Sequence, residues 1–211
     1  MSLQHEPFCF DSGAGQFFWY DHFLGDQIQD EFNAGGGSGY STTVVDGVSG
    51  GIVRLTTGTS DGYVVWISWG SFETLLVSKN VCFESRFSIN SLSVSRVFFG
   101  ILNTWNDYIT ISYDSTATTR WRTGMMSGGV GGYTNIGNPD ADTSYHNFRT
   151  QAHTHGGNHA HYYVDGSELA TSPISTNVPT TYLQIYLERD LISGGVAKSM
   201  DIDYMAVRQD R

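Results

Sequence analysis

The sequence predicts an all-β protein, a sandwich or barrel of about twelve antiparallel strands, and three observations lead there. Glycine takes 25 of 211 positions, only 15% of residues are charged, and lysine occurs just at Lys79 and Lys198. A chain rich in Gly, Ser, Thr, Tyr and Val supplies turns and strands but few strong helix formers. Short alternating or β-rich runs bounded by Gly, Asp, Asn or Ser recur along the chain, which is the mark of strands joined by tight turns. The best helical pattern is Asp21 to Asn33, where Leu24, Ile28 and Phe32 recur at spacing four, and it supports one or two turns at most. With 39% hydrophobic residues the chain can fill one large β core. We therefore expect a single domain over residues 1–211, with 1–14 as an N-terminal arm.

The predicted strands follow in order. GQFFWY (15–20), YSTTVV (40–45), GIVRLTTG (51–58) and GYVVWISW (62–69) are β-branched or aromatic runs between glycines. NVCFESRFS (80–88), SRVFFGIL (95–102), DYITISYD (107–114) and RWRTGMM (119–125) continue the series. Residues 145–155 and 159–164 alternate around Gly156-Gly157-Asn158, and YLQIYLER (182–189) and SMDIDYMAVR (199–208) close the chain. The stretches Ala34–Gly39 and Ser127–Gly132 are read as turns, because no helix follows their glycines to make a phosphate cradle.

Charge narrows the partners. The formal net charge is −10 and the basic residues are scattered, whereas a nucleic-acid binder needs a basic stripe to neutralise phosphates. No apolar run is long enough to span a membrane, and the first residues carry no basic-then-apolar signal pattern. Cys9 and Cys82 are expected as unpaired thiols of a protein made in a reducing cytoplasm, with a disulfide as the alternative.

Strand parity sorts inside from outside. Val81, Phe83 and Phe87 should face the core, with Cys82, Glu84 and Arg86 outward. Leu183, Ile185 and Leu187 should be inside, with Tyr182, Gln184, Tyr186 and Glu188 outside. Ile109, Ile111 and Tyr113 should be inside, with Tyr108, Thr110, Ser112 and Asp114 outside. In the histidine hairpin, Arg149, Gln151, His153 and His155 share a face with His159, His161 and Tyr163. We expect His155 opposite His159, His153 opposite His161, and Gln151 opposite Tyr163.

If these strands share one sheet, they build a polar, aromatic face suited to sugars. That face also carries Glu188, and the candidate ligand-binding residues on it are Glu84, Arg86, Arg149, Gln151, His153, His161, Tyr163, Tyr182, Gln184 and Tyr186. An outward sheet face is polar in any case, so an ordinary solvated surface is the competing reading. His153, His155, His159 and His161 have the parity of ligands for Zn²⁺, Ni²⁺ or Cu²⁺. Alternatively they form a pH-responsive or subunit-contact patch. Asp140, Asp142 and Asn138 lie in a loop whose oxygens could hold Ca²⁺, but no Gly-spaced loop pattern fixes such a site, and a solvated turn is the preferred reading. Asp201 and Asp203 read as an exposed edge.

The order DHFLGDQIQDEF, GGIVRLTTGTSDG, VCFESRFSIN, VFFGILN, DYITISYD, HNFRT…HYYVDGSELATS, NVPTTYLQIYLER and MDIDYMAVRQDR resembles the concanavalin A-like lectin/glucanase sandwich. It is similar in particular to the laminin G-like variant of phage and viral structural proteins. The resemblance runs from about Phe17 to Arg208, with Tyr163-Val-Asp-Gly166 as its strongest piece. It implies a jelly roll of two curved sheets. It further implies a non-enzymatic virion component, as capsid decoration, fibre or tail part, that binds glycans or neighbouring subunits and forms a homo-oligomer. Such a protein resides in the virion, or outside the cell after release. Glycanases of this fold place paired carboxylates on one strand; Phe83-Glu-Ser-Arg-Phe87 has one acid, which departs from that pattern. An alginate-lyase-like enzyme would use Arg86, Gln184, Tyr163 and Tyr186, and a stand-alone carbohydrate-binding module is a further alternative.

Overall fold

The computed structural model describes residues 16–21, 23, 32–45, 51–69, 74–153, 157–169 and 176–210. Its strands, numbered in chain order, form two antiparallel sheets. The first sheet runs β13 (Ser167–Glu168), β12 (His159–Val164), β11 (His146–His153), β6 (Val81–Ile89), β15 (Ser199–Asp210), β4 (Val53–Thr56) and β3 (Ser41–Val44). The strand β1 (Gln16–Asp21) pairs with the second half of β15, from Met205 to Asp210. The second sheet runs β10 (Val130–Asp140), β9 (Arg120–Ser127), β8 (Asp107–Asp114), β7 (Ser95–Thr104), β14 (Gln184–Leu191), β5 (Tyr63–Ser68) and β2 (Asn33–Gly36). One 3-10 turn, Val77–Lys79, is the helical element among the described residues.

Alternation builds the core between the sheets. Val81, Phe83 and Phe87 of β6 meet Ile185 and Leu187 of β14 and Ile109 and Ile111 of β8 in one buried cluster. At its centre Phe148 stacks on Phe87 with centroids 4.2 Å apart and takes the edge of Trp121 at 4.6 Å. The inward residues are those that parity selects. Arg189 is the exception on an inward position: it is fully buried, and its guanidinium donates to the backbone carbonyls of Ser91 and Arg96.

Fifteen strands among the described residues replace the twelve expected, and the three extra ones have a common cause. β2, β10 and β13 are glycine-rich, glycine-led or very short, so they carry a weak strand signal and read as turns or loops. In β2, Gly35 lies across from Trp66, and a Cβ there would stand 2.4 Å from the indole. The glycine is what lets that ring lie flat against the sheet edge. After β9 the turn takes only Gly128 and Gly129, both at positive φ, and pairing resumes at Val130.

The hairpin register differs by two residues from the expected one. His153 pairs with His159, Gln151 with His161 and Arg149 with Tyr163. A shift of two keeps every side chain on its face, whereas a shift of one would reverse them all. Pairing is held from the far end, where Asp165 N–H donates to Asn147 O at 2.8 Å and the Asp165 carboxylate accepts from Asn147 N–H at 2.9 Å. His155 lies outside the described residues, as do the expected arm 1–14 and most of the expected helix. Cys82 is buried and disulfide-bonded, not the free thiol expected; the other cysteine of the chain, Cys9, is outside the described residues.

Candidate functional site

The sandwich separates the predicted binding face into two. Glu84, Arg86, Arg149, Gln151, His153, His159, His161 and Tyr163 belong to the first sheet, while Gln184, Tyr186 and Glu188 belong to the second. Each set points away from the shared core, so the two lie on opposite sides of the molecule. Tyr182 precedes β14 and is exposed. The core therefore stands between Arg86 and Tyr163 on one face and Gln184 and Tyr186 on the other.

On the first face most charged groups have partners. Glu84 is 1% exposed and accepts from Tyr204 Oη at 2.5 Å, so it is a structural carboxylate and not a contact surface. Arg86 pairs with Asp203 and lies over the Tyr145 ring at 4.8 Å. Arg54 forks onto Asp201 with two hydrogen bonds of 2.7 Å. The two aspartates expected as an exposed edge are therefore ion-pair partners. Arg149 covers the Tyr163 ring at 3.9 Å. In the acidic loop, Asp140 pairs with Arg120 at 3.0 Å and Asp142 with His146 at 2.9 Å. They are committed to different partners, and among the described residues no three ligating side chains converge.

The second face is different. Cross-strand register places Ser68, Tyr186, Gly100, Thr110, Gly124 and Tyr133 in one row across β5, β14, β7, β8, β9 and β10. The adjacent row is Trp66, Glu188, Phe98, Ser112 and Arg122. Glycine, threonine and serine in the middle strands make a low floor, and the rings of the same face gather over it. Trp66 stacks with Tyr186 at 6.2 Å, and Trp105 meets Tyr186 at 5.8 Å and Phe98 at 5.1 Å. Beside them Tyr108 stacks on Tyr133 at 5.5 Å, and these two rings meet the first group through Trp105–Tyr108 at 6.5 Å and Phe98–Tyr133 at 6.2 Å; Arg122 lies over the Tyr133 ring at 4.6 Å. Gly124 has to be glycine, since a Cβ would sit 2.5 Å from the Tyr133 ring.

The result is an aromatic trough with Trp105 and Tyr133 exposed on its walls. Its polar floor is incompletely satisfied. Thr110 Oγ1, Ser112 Oγ, Gln184 Oε1, Asp190 Oδ1 and Arg122 Nε are buried with no hydrogen-bond partner among the described residues. Buried polar atoms normally have partners; these five are closed to solvent, with Thr110 and Ser112 at most 1% exposed.

Glu188 sits in this trough on β14, with Asp190 two residues on and so on the same face. Burial pushes its carboxyl up to about 7; the hydrogen bond donated by Tyr186 opposes the rise and the nearby Asp190 adds to it. Asp190 is itself raised by burial, against the pull of Arg96, which bridges it to Asp114 at 3.4 and 3.1 Å. The Glu188–Asp190 pair is visible in the sequence as two acids at strand spacing. It lies on β14, whereas the single acid Glu84 lies on β6. Trp66, Phe98, Trp105, Tyr133 and Arg122 are also absent from the residues expected in the site, although alternation against Val65 and Ile67 marks Trp66 as outward.

The raised Glu188 has a consequence for stability. The folded chain keeps this proton up to about pH 7, while the unfolded chain releases it near 4.5. The group's stabilising contribution is therefore complete below pH 4.5, falls as pH rises from there through 7, and is gone above it. The loss is about 3 kcal/mol, since a tenfold difference in proton affinity between the folded and unfolded chain is worth roughly 1.4 kcal/mol. Glu188→Gln should flatten this decline in urea unfolding between pH 4.5 and 8, and parallel curves for the two proteins would refute it.

These features define a class: the fold is that of the concanavalin A-like lectin/glucanase sandwiches. Among solved structures the chain is similar to the carbohydrate recognition domain of Emp47p (11% identity, TM-score 0.66, covering 95% of this chain and 100% of that one). It is similar also to the β-glucanase of Bacillus licheniformis (20% identity, TM-score 0.63, covering 95% and 100%). A third is a carbohydrate esterase of the Shiga toxin-encoding bacteriophage phi24B (17% identity, TM-score 0.54, covering 85% and 90%). No protein-family model and no curated protein matches the sequence.

Proposed function

We propose that the protein is a carbohydrate-binding domain that seats a glycan along the trough of its second sheet. The observation that carries this reading is the alignment of the exposed rings of Trp105 and Tyr133 with the half-buried polar side chains of Gln184 and Tyr186 on one face. Sugar rings offer just that pairing, an apolar face to stack and an equatorial fringe of hydroxyls to hydrogen-bond. The structural neighbours that bind or cleave carbohydrates support the reading by fold analogy. Screening the chain on a glycan array tests it: saturable hits are expected, and an array with none would overturn it.

A second reading, hydrolysis of the bound glycan, is favoured by one feature. Glu188 keeps its proton near neutrality, as a general acid for a leaving oxygen must, and Asp190 supplies a second carboxylate on the same face. Release of reducing ends from the best array ligand, lost in Glu188→Gln, is its test; binding with no release leaves the domain a lectin.

The placement of this domain on a virion, as a decoration, fibre or tail component with partner subunits, rests on the sequence resemblance and has the phage-encoded neighbour as support. Antibody against the chain should then label purified particles, and particles free of the chain would end that part of the proposal.

A further inference from the structure

The histidine hairpin lies on the first sheet, across the core from the trough, and its chemistry is separate. We propose that His153 and His161 form a two-imidazole site for a divalent transition ion, with Glu168 as the carboxylate that orients it. His153 ends β11 and His161 lies within β12. Register pairs them with His159 and Gln151 respectively, so the two are diagonal neighbours on one face. Their Nε2 atoms stand 3.2 Å apart. Two nitrogens bound to one ion at 2.0–2.1 Å with a tetrahedral angle lie about 3.3 Å apart. The hairpin thus holds the pair at coordination distance.

Glu168 sets the tautomer. His161 Nδ1 is 2.6 Å from Glu168 Oε1, and a carboxylate there accepts the Nδ1 proton. That leaves the Nε2 lone pair of His161 directed at His153. A carboxylate behind an imidazole is the usual outer support of a metal-bound histidine, fixing the ring and raising its basicity. Glu168 reaches this position because β13 pairs with β12 through Tyr163. The Tyr163 ring in turn stacks on His161 at 6.4 Å, limiting its rotation.

The ligand type selects the ion. Neutral imidazoles suit Zn²⁺, Cu²⁺ and Ni²⁺, whereas Ca²⁺ and Mg²⁺ require oxygens. Among the described residues no third ligating side chain joins the pair, so the proposed site takes two protein ligands from them. The net charge of −10 favours cations near the surface.

The test uses the full chain without a histidine tag, titrated calorimetrically with Zn²⁺ and with Cu²⁺. One ion per chain should bind. His153→Ala and His161→Ala should each weaken binding at least about ten-fold, and Glu168→Gln by about ten-fold, as outer-shell changes do. His146→Ala, whose ring is held by Asp142 and Asp165, should leave it unchanged. A measurement that needs no variant accompanies these: Zn²⁺ should shift the Nε2 nitrogen resonances of both His153 and His161. No binding tighter than about 1 mM, unshifted resonances, or affinity that survives His161→Ala would overturn the proposal. Neither result bears on the glycan trough.

Discussion

Trp105→Ala should strip the trough of most of its glycan affinity. The indole stands at the β7–β8 turn, 48% exposed, and its edge contacts with Phe98, Tyr108 and Tyr186 hold it upright as a wall. Truncating an anchoring aromatic of this kind costs about 2 kcal/mol, a roughly thirty-fold rise in Kd. Because the ring is half exposed and outside the core cluster, the unfolding midpoint should hardly move. Calorimetric titration with the best array ligand checks it. If Kd is unaltered here but rises in Tyr163→Ala, glycan binding belongs to the histidine-bearing sheet and the assignment to the trough fails.

Phe148→Ala should have the largest effect on stability, a loss of about 3–5 kcal/mol from the transfer term and the cavity together. Phe148 is fully buried and lies between Phe87, Trp121 and Phe99. These rings come from both sheets, from β6, β9, β7 and β11, so the surroundings can close the hole only by moving the sheets together. Urea unfolding followed by tryptophan fluorescence measures the change. A loss below about 1 kcal/mol would mean that the centre of the sandwich repacks freely, contrary to the interlocked packing of these rings.

Much of the fold is legible in the sequence because it rests on local properties. Alternation alone puts Phe83, Phe87, Ile109, Ile111, Leu183, Ile185 and Leu187 inside, and all are buried. Turn residues mark out twelve strands, whereas β2, β10 and β13 have glycines or too few residues where a strand usually shows branched or aromatic side chains. Only pairing with a neighbour makes them strands. Residues 34–36 have almost no β propensity of their own, but β5 offers them an open edge and Trp66 needs a partner without a Cβ.

The candidate site divides along the same line. That Tyr186 and Glu188 point outward, and that the hairpin carries its histidines on one face, follows from a period of two and needs no coordinates. Which outward residues meet is another matter. β14 enters the second sheet between β7 and β5, and β15 enters the first between β6 and β4, each joining partners far away in sequence. No local pattern encodes that choice, since any alternating strand can satisfy any edge. It is set by which pairing closes a common core around Phe148. Residue order therefore suffices for the class of fold, the buried half of each strand and the histidine face. The assignment of Glu84 to one side and Glu188 to the other comes from the assembled sheets, and so does the aromatic trough on the second. Sheet membership is a long-range property, and alternation leaves it open.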